Sequence, residues 1–136
     1  MKFALGQINP TVGDLKGNAQ KIIDVIIENS VNVDVLVFPE MVITGYPPQD
    51  LLLESTFIQS VENALLKISE SVHECIVIVG AIRKVGNKLF NTAVIIQPNG
   101  KVNYRDKILL PNYDVFDESR YFDLALSANP IEVIVN

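Results

Sequence analysis

The chain has 136 residues, 49% of them hydrophobic and 20% charged, with a net charge of −5 at neutral pH. That length and balance fit one soluble globular domain with a real core. No apolar run approaches the ~20 residues that span a bilayer, and an acidic chain without a Lys/Arg cluster excludes a nucleic-acid partner held through phosphates.

Lys2 to Ile8 is an apolar run ended by Asn9-Pro10, a turn signal, and reads as a first strand. Asn18 is the expected cap of a first helix, whose apolar positions Ile22, Ile23, Ile26 and Ile27 recur at helical spacing. Val33 to Phe38 is short, β-branched and nearly all apolar, the pattern of a strand buried on both faces. Met41 to Asp50 reads as a loop broken by Gly45 and Pro47-Pro48. Ser55 is the expected cap of a second helix with a stripe at Phe57, Val61, Leu65, Ile68 and Val72, ended by His73.

Strands then follow in quick succession: Cys75 to Ala81, Leu89 to Gln97, and Lys101 to Tyr104, the last two joined by a turn at Pro98-Asn99-Gly100. Ile108 to Ala128 is irregular, and Ile131 to Val135 begins one more strand. Strand–helix alternation followed by a hairpin predicts an α/β layered domain. A strand begun so near the last residue leads to the expectation that these residues are a segment of something longer.

In α/β sheets ligands collect beyond the carboxyl ends of strands. Glu40 stands just past such an end, after Pro39, which has no N–H to continue a ladder. By itself it reads either as a pocket-facing carboxylate or as a solvated one. Lys107 follows the hairpin strand and precedes the apolar Ile108-Leu109-Leu110-Pro111; alone it is a pocket ammonium or a surface lysine. Glu118 lies in an acidic loop, and Tyr46 and Tyr113 are pocket walls or packing residues. Cys75, the single cysteine, opens an apolar run and reads as a small core residue. It rules out a disulfide framework and, with one histidine, leaves no ligand set for zinc, so no metal is expected. There is no Gly-rich phosphate loop and no signal-peptide pattern, so the expected location is cytoplasmic.

Two extended motifs carry a resemblance. Val37-Phe38-Pro39-Glu40-Met41-Val42-Ile43-Thr44-Gly45-Tyr46 and Tyr104-Arg105-Asp106-Lys107-Ile108-Leu109-Leu110-Pro111 resemble the glutamate and lysine motifs of the nitrilase superfamily. Their continuations, Pro47-Pro48-Gln49-Asp50-Leu51-Leu52-Leu53 and Asn112-Tyr113-Asp114-Val115-Phe116-Asp117-Glu118-Ser119-Arg120-Tyr121-Phe122, are similar to the glutaminase domain of glutamine-dependent NAD synthetases. The resemblance covers essentially the entire chain. It implies an αββα sandwich, here incomplete, with residues 1–136 as the N-terminal part of one carbon-nitrogen hydrolase domain. In that family a cysteine thiolate attacks the glutamine amide and forms a thioester.

By resemblance Glu40 matches the general base, Lys107 the group that stabilises the oxyanion, and Glu118 the supporting acid. Tyr46, Tyr113 and Phe116 match residues that line the glutamine pocket. The family's nucleophile lies on the strand after the long loop, beyond Asn136, so the 136 residues alone are expected to be inactive. Ammonia would pass to a separate synthetase domain that uses ATP and Mg²⁺ to amidate deamido-NAD; no cofactor is expected in the present segment. The family also implies a homo-oligomer. The other readings are a fragment of a stand-alone amidase or carbamoylase, and a non-catalytic binding or assembly domain.

Overall fold

A computed structural model describes residues 1–133 and 135. Five strands alternate with and then follow two long helices: β1 (Phe3–Leu5), α1 (Leu15–Asn29), β2 (Val35–Val37), α2 (Ser55–Ser69), β3 (Ile76–Val85), β4 (Lys88–Ile96) and β5 (Val102–Asp106). They form one sheet in the order β1-β2-β3-β4-β5. β1, β2 and β3 are parallel, as two strand–helix–strand units require. β4 and β5 return antiparallel as hairpins. β5 therefore runs in the direction of β2, and their carboxyl ends open on one edge of the sheet.

The helices cover one face. Ile22 and Ile26 of α1 and Val61 and Ile68 of α2 are buried in a core with Leu36, Val77, Val79, Val94 and Ile96. The alternate residues Val35, Ile76 and Ile95 point to the opposite face, where Ile131, Val133 and Val135 pack against them. Residues 131–133 and 135 make no strand, which corrects the expectation of a sixth; Ile134, also in that expected strand, lies outside the described residues. Helix on one side and a partly covered sheet on the other is one α/β layer pair of the expected sandwich.

Several local expectations change. The cap of α1 is Asp14, whose Oδ1 accepts the Gly17 N–H at 3.0 Å. Asn18 lies inside the helix, fully buried, because its side chain serves tertiary partners. Its Nδ2 donates to the carbonyls of Thr11 and Ile43 (2.8 and 2.9 Å), and its Oδ1 accepts the Thr11 N–H at 2.8 Å. Ser55 is the first residue of α2 rather than its cap; Glu54 precedes it without a side-chain cap bond. His73 lies past the end of α2 at Ser69. Ile27 is exposed, and the buried stripe of α2 runs through Ile58, Val61, Ala64 and Ile68, with Phe57 and Leu65 at its margin. No helix among the described residues is long and apolar enough to cross a membrane.

Candidate active site

β2 delivers Glu40 to the open edge. The ladder persists through Phe38, whose N–H donates to the Ile78 carbonyl at 2.8 Å, and Pro39 ends it. Met41 then takes the left-handed conformation (φ 51°), unusual for a side-chain-bearing residue, and drops its own side chain into the core. That reversal leaves Glu40 on the surface while Met41, Val42 and Ile43 after it are buried.

Between β2 and β4 lies β3, and Glu40 must cross it to reach the hairpin. Gly80 permits the crossing. A Cβ built there would stand 2.3 Å from the Pro39 oxygen, 2.5 Å from Glu40 Cα and 2.6 Å from the Met41 nitrogen. The Pro39–Met41 backbone rests directly on the bare Cα of β3.

Across that bridge Lys107 meets two carboxylates. Its Nζ donates to Glu40 Oε1 at 2.8 Å and to Glu118 Oε1 at 3.0 Å. Lys107 follows β5 directly, and its own N–H donates to the Asn91 carbonyl at 2.8 Å, one more rung of the β4–β5 ladder. Arg83 of β3 pairs with Asp106, and its guanidinium lies 4.8 Å from the centre of the Tyr104 ring, which fixes the strand end that carries Lys107. Glu118 begins a short 3₁₀ turn (Glu118–Arg120); its side chain is 9% exposed. The second oxygen of Glu118 is buried with no hydrogen-bond partner among the described residues.

Burial alone pushes the Glu40 carboxyl upward, but hydrogen bonds from Lys107 and Asn91, with the charge of Lys107, outweigh it and hold it below its ordinary 4.5. Burial likewise pulls Lys107 down, and the hydrogen bonds and charges of Glu40 and Glu118 outweigh it and hold the ammonium above its ordinary 10.5. Both groups are charged at neutral pH.

Removing the ammonium leaves Glu118 buried without its counter-charge. Lys107→Met is expected to destabilise the chain by about 3 kcal/mol, the low end for breaking a buried pair because Lys107 itself is 30% exposed. The signs of the two shifts set the window. The lowered Glu40 gives stability present above 4.5 and lost as pH falls through its folded value. The raised Lys107 gives stability present below 10.5 and lost as pH rises through its folded value. Urea midpoints of the two proteins should differ most between these limits and converge outside them; a gap independent of pH would show that packing, not charge, is at stake.

Beside the carboxylates is a cleft of about 450 Å³ walled by Met41, Tyr46, Leu52, Phe116, Glu118 and Phe122. Two loops form it. Tyr121 of the later loop donates its hydroxyl to Asp50 of the earlier one at 2.8 Å. Tyr46 and Phe116 are thus in the cleft wall. Tyr113 is outside it, 65% exposed, and packs edge-on against Phe116 with centroids 5.6 Å apart. Cys75 is buried at the start of β3, at the opposite end of the sheet from Glu40; burial, then the charge of Glu74, push its thiol upward.

Asn91 lies outside both extended motifs. It is 3% exposed, and its Nδ2 donates to Glu40 Oε1 at 2.5 Å. The available signal was a polar side chain inside the apolar strand Leu89 to Gln97, on the same face as Ala93 and Ile95.

Residues 2–126 match the family model described as carbon-nitrogen hydrolase. The chain belongs to the carbon-nitrogen hydrolase family. It is 39% identical over 129 residues to a glutamine-dependent NAD(+) synthetase of Synechocystis, covering 88% of this chain and 23% of that protein. A synthetase of the same description from Aquifex aeolicus is 40% identical over 124 residues, 90% of this chain and 22% of that one. The chain thus spans about a quarter of the length of such relatives. The solved glutamine-dependent NAD+ synthetase of Acinetobacter baumannii superposes with a TM-score of 0.89 at 32% identity, over 98% of this chain and 26% of that one. An amidase from Nesterenkonia, at 19% identity, shares the fold with a TM-score of 0.84 over 98% of this chain and 51% of the amidase.

Proposed function

We propose that residues 1–136 are part of a glutaminase domain that supplies ammonia for ATP-dependent amidation of deamido-NAD. The observation that carries this reading is the Lys107 ammonium held between Glu40 and Glu118 at the side of an aromatic-walled cleft. Glu40 is the general base that takes the thiol proton and later activates water. Lys107 stabilises the oxyanion of each tetrahedral intermediate. The buried oxygen of Glu118 that has no partner among the described residues is an acceptor suited to the ammonium of a glutamine substrate, besides its support of Lys107. Tyr46 and Phe116 contact the substrate's carbon chain, and Tyr113 backs Phe116. The identity to the Synechocystis and Aquifex synthetases favours glutamine over other amides. ATP and Mg²⁺ belong to a synthetase domain outside these residues, in a cytoplasmic and homo-oligomeric protein.

The nucleophile is a cysteine outside the 136 residues. Cys75 cannot replace it: it is buried, its thiol is disfavoured as thiolate, and it lies across the sheet from the base. The purified 136-residue chain is therefore expected to release no ammonia from glutamine in a coupled glutamate dehydrogenase assay; measurable release overturns this assignment. The product of the whole reading frame that contains the segment is expected to use glutamine as nitrogen donor. Hydrolysis of simple amides without an ATP-dependent step would instead identify an amidase or carbamoylase. Glutamine binding without turnover would identify a binding domain.

A further inference from the structure

We propose that Asn91 is the positioning residue of Glu40, and that its amide, together with the Lys107 ammonium, occupies one carboxylate oxygen so that the other carries the proton. This deepens the general-base reading and names which atom acts. Both hydrogen bonds to Glu40 fall on Oε1, from Asn91 Nδ2 at 2.5 Å and Lys107 Nζ at 2.8 Å. A carboxylate oxygen with two donors aimed at it is a poor proton acceptor; Oε2, with no donor on it among the described residues, is the better one.

The arrangement also fixes the side chain in space. Glu40 is half exposed and stands on a short loop, so its own rotamers do not hold it. Lys107 has a long, flexible stem and fixes charge more than direction. Asn91 is different: it is buried, it belongs to the central hairpin, and its side chain is short. Its backbone carbonyl accepts the N–H of Lys107 at 2.8 Å while its side chain holds Glu40. One residue of β4 thereby sets the register of both the base and the cation. A base that must deprotonate a thiol and then a water at one oxygen needs that constancy of direction.

The test is the titration of the Glu40 side-chain carboxyl followed by ¹³C NMR in the 136-residue chain. The charged groups around it are Lys107 on the β5 side and Glu118 behind Lys107, and neither is altered. In Asn91→Ala the midpoint of Glu40 is expected to rise by about half a unit or more, a roughly threefold gain in proton affinity. The Lys107 amide resonance should keep its place, because its partner is the Asn91 backbone. Asn91→Ser, too short to reach Glu40 but still polar, should give the same rise and serves if the alanine variant fails to fold. An unchanged midpoint in a folded variant overturns the proposal.

In the product of the whole reading frame, the acid limb of glutamine hydrolysis should move upward by the same interval. A midpoint that moves while the acid limb stays would keep the clamp but remove Glu40 as the base. The two failures are thus distinguishable.

Discussion

In the product of the whole reading frame, Glu40→Gln is expected to lower glutamine-supported amidation of deamido-NAD about 10²- to 10⁴-fold, the usual worth of a general base. Amidation supported by free ammonia should be unchanged. The substitution isolates proton transfer, because glutamine keeps the shape of the side chain and an oxygen that Asn91 and Lys107 can still reach. What it removes is the basic oxygen. Paired assays with the two nitrogen sources decide the matter: an undiminished glutamine rate removes Glu40 from the mechanism, and a parallel loss with ammonia points to damage to the protein as a whole. The pH profile adds an independent reading. Burial works against the ionised form, but Lys107 and Asn91 prevail and hold Glu40 below 4.5. The acid limb of kcat/KM should therefore lie below 4.5, with the rate rising as Glu40 ionises and level above that range.

The three charged residues of the site were legible as residues in extended motifs, but their meeting was not. Glu40 and Lys107 are 67 positions apart, and only the strand order β1-β2-β3-β4-β5 brings the ends of β2 and β5 to one edge. The strands themselves were visible as apolar runs, since a sheet covered on one face and partly on the other needs them. Their ends shifted where the run said little: β3 extends to Val85 and turns through Gly86-Asn87 into β4, a hairpin joint not read from the sequence. Asn18 misled as a cap because residue type alone does not say whether an amide will serve its own helix or two distant carbonyls. Asn91 and Gly80 are hidden in the sequence for the same reason. Each interrupts an apolar strand, and each interruption is where another segment approaches the sheet.

Gly80→Ala tests that last point. A methyl group on Gly80 would fall within 2.6 Å of three backbone atoms, those of Pro39, Glu40 and Met41. Backbone cannot rotate aside as the end of a flexible side chain can. Either the Pro39–Met41 segment lifts from β3, straining the Phe38–Ile78 hydrogen bond, or β3 bends away from β4. The expected cost is about 3 kcal/mol, the upper part of the range for overpacking. Gly86→Ala is the contrast: its Cβ meets nothing within 4 Å, and only its φ of +60° opposes the change. That penalty is about 1 kcal/mol. The distinguishing readout is the site rather than the stability alone. Lifting the segment withdraws Glu40 from Asn91, so the Asn91 side-chain amide resonances should move in Gly80→Ala and stay in Gly86→Ala. A Gly80→Ala protein with wild-type urea midpoint and unmoved Asn91 resonances would mean that the segment does not rest on β3, and that the path carrying Glu40 across to the hairpin is set by something other than the missing side chain.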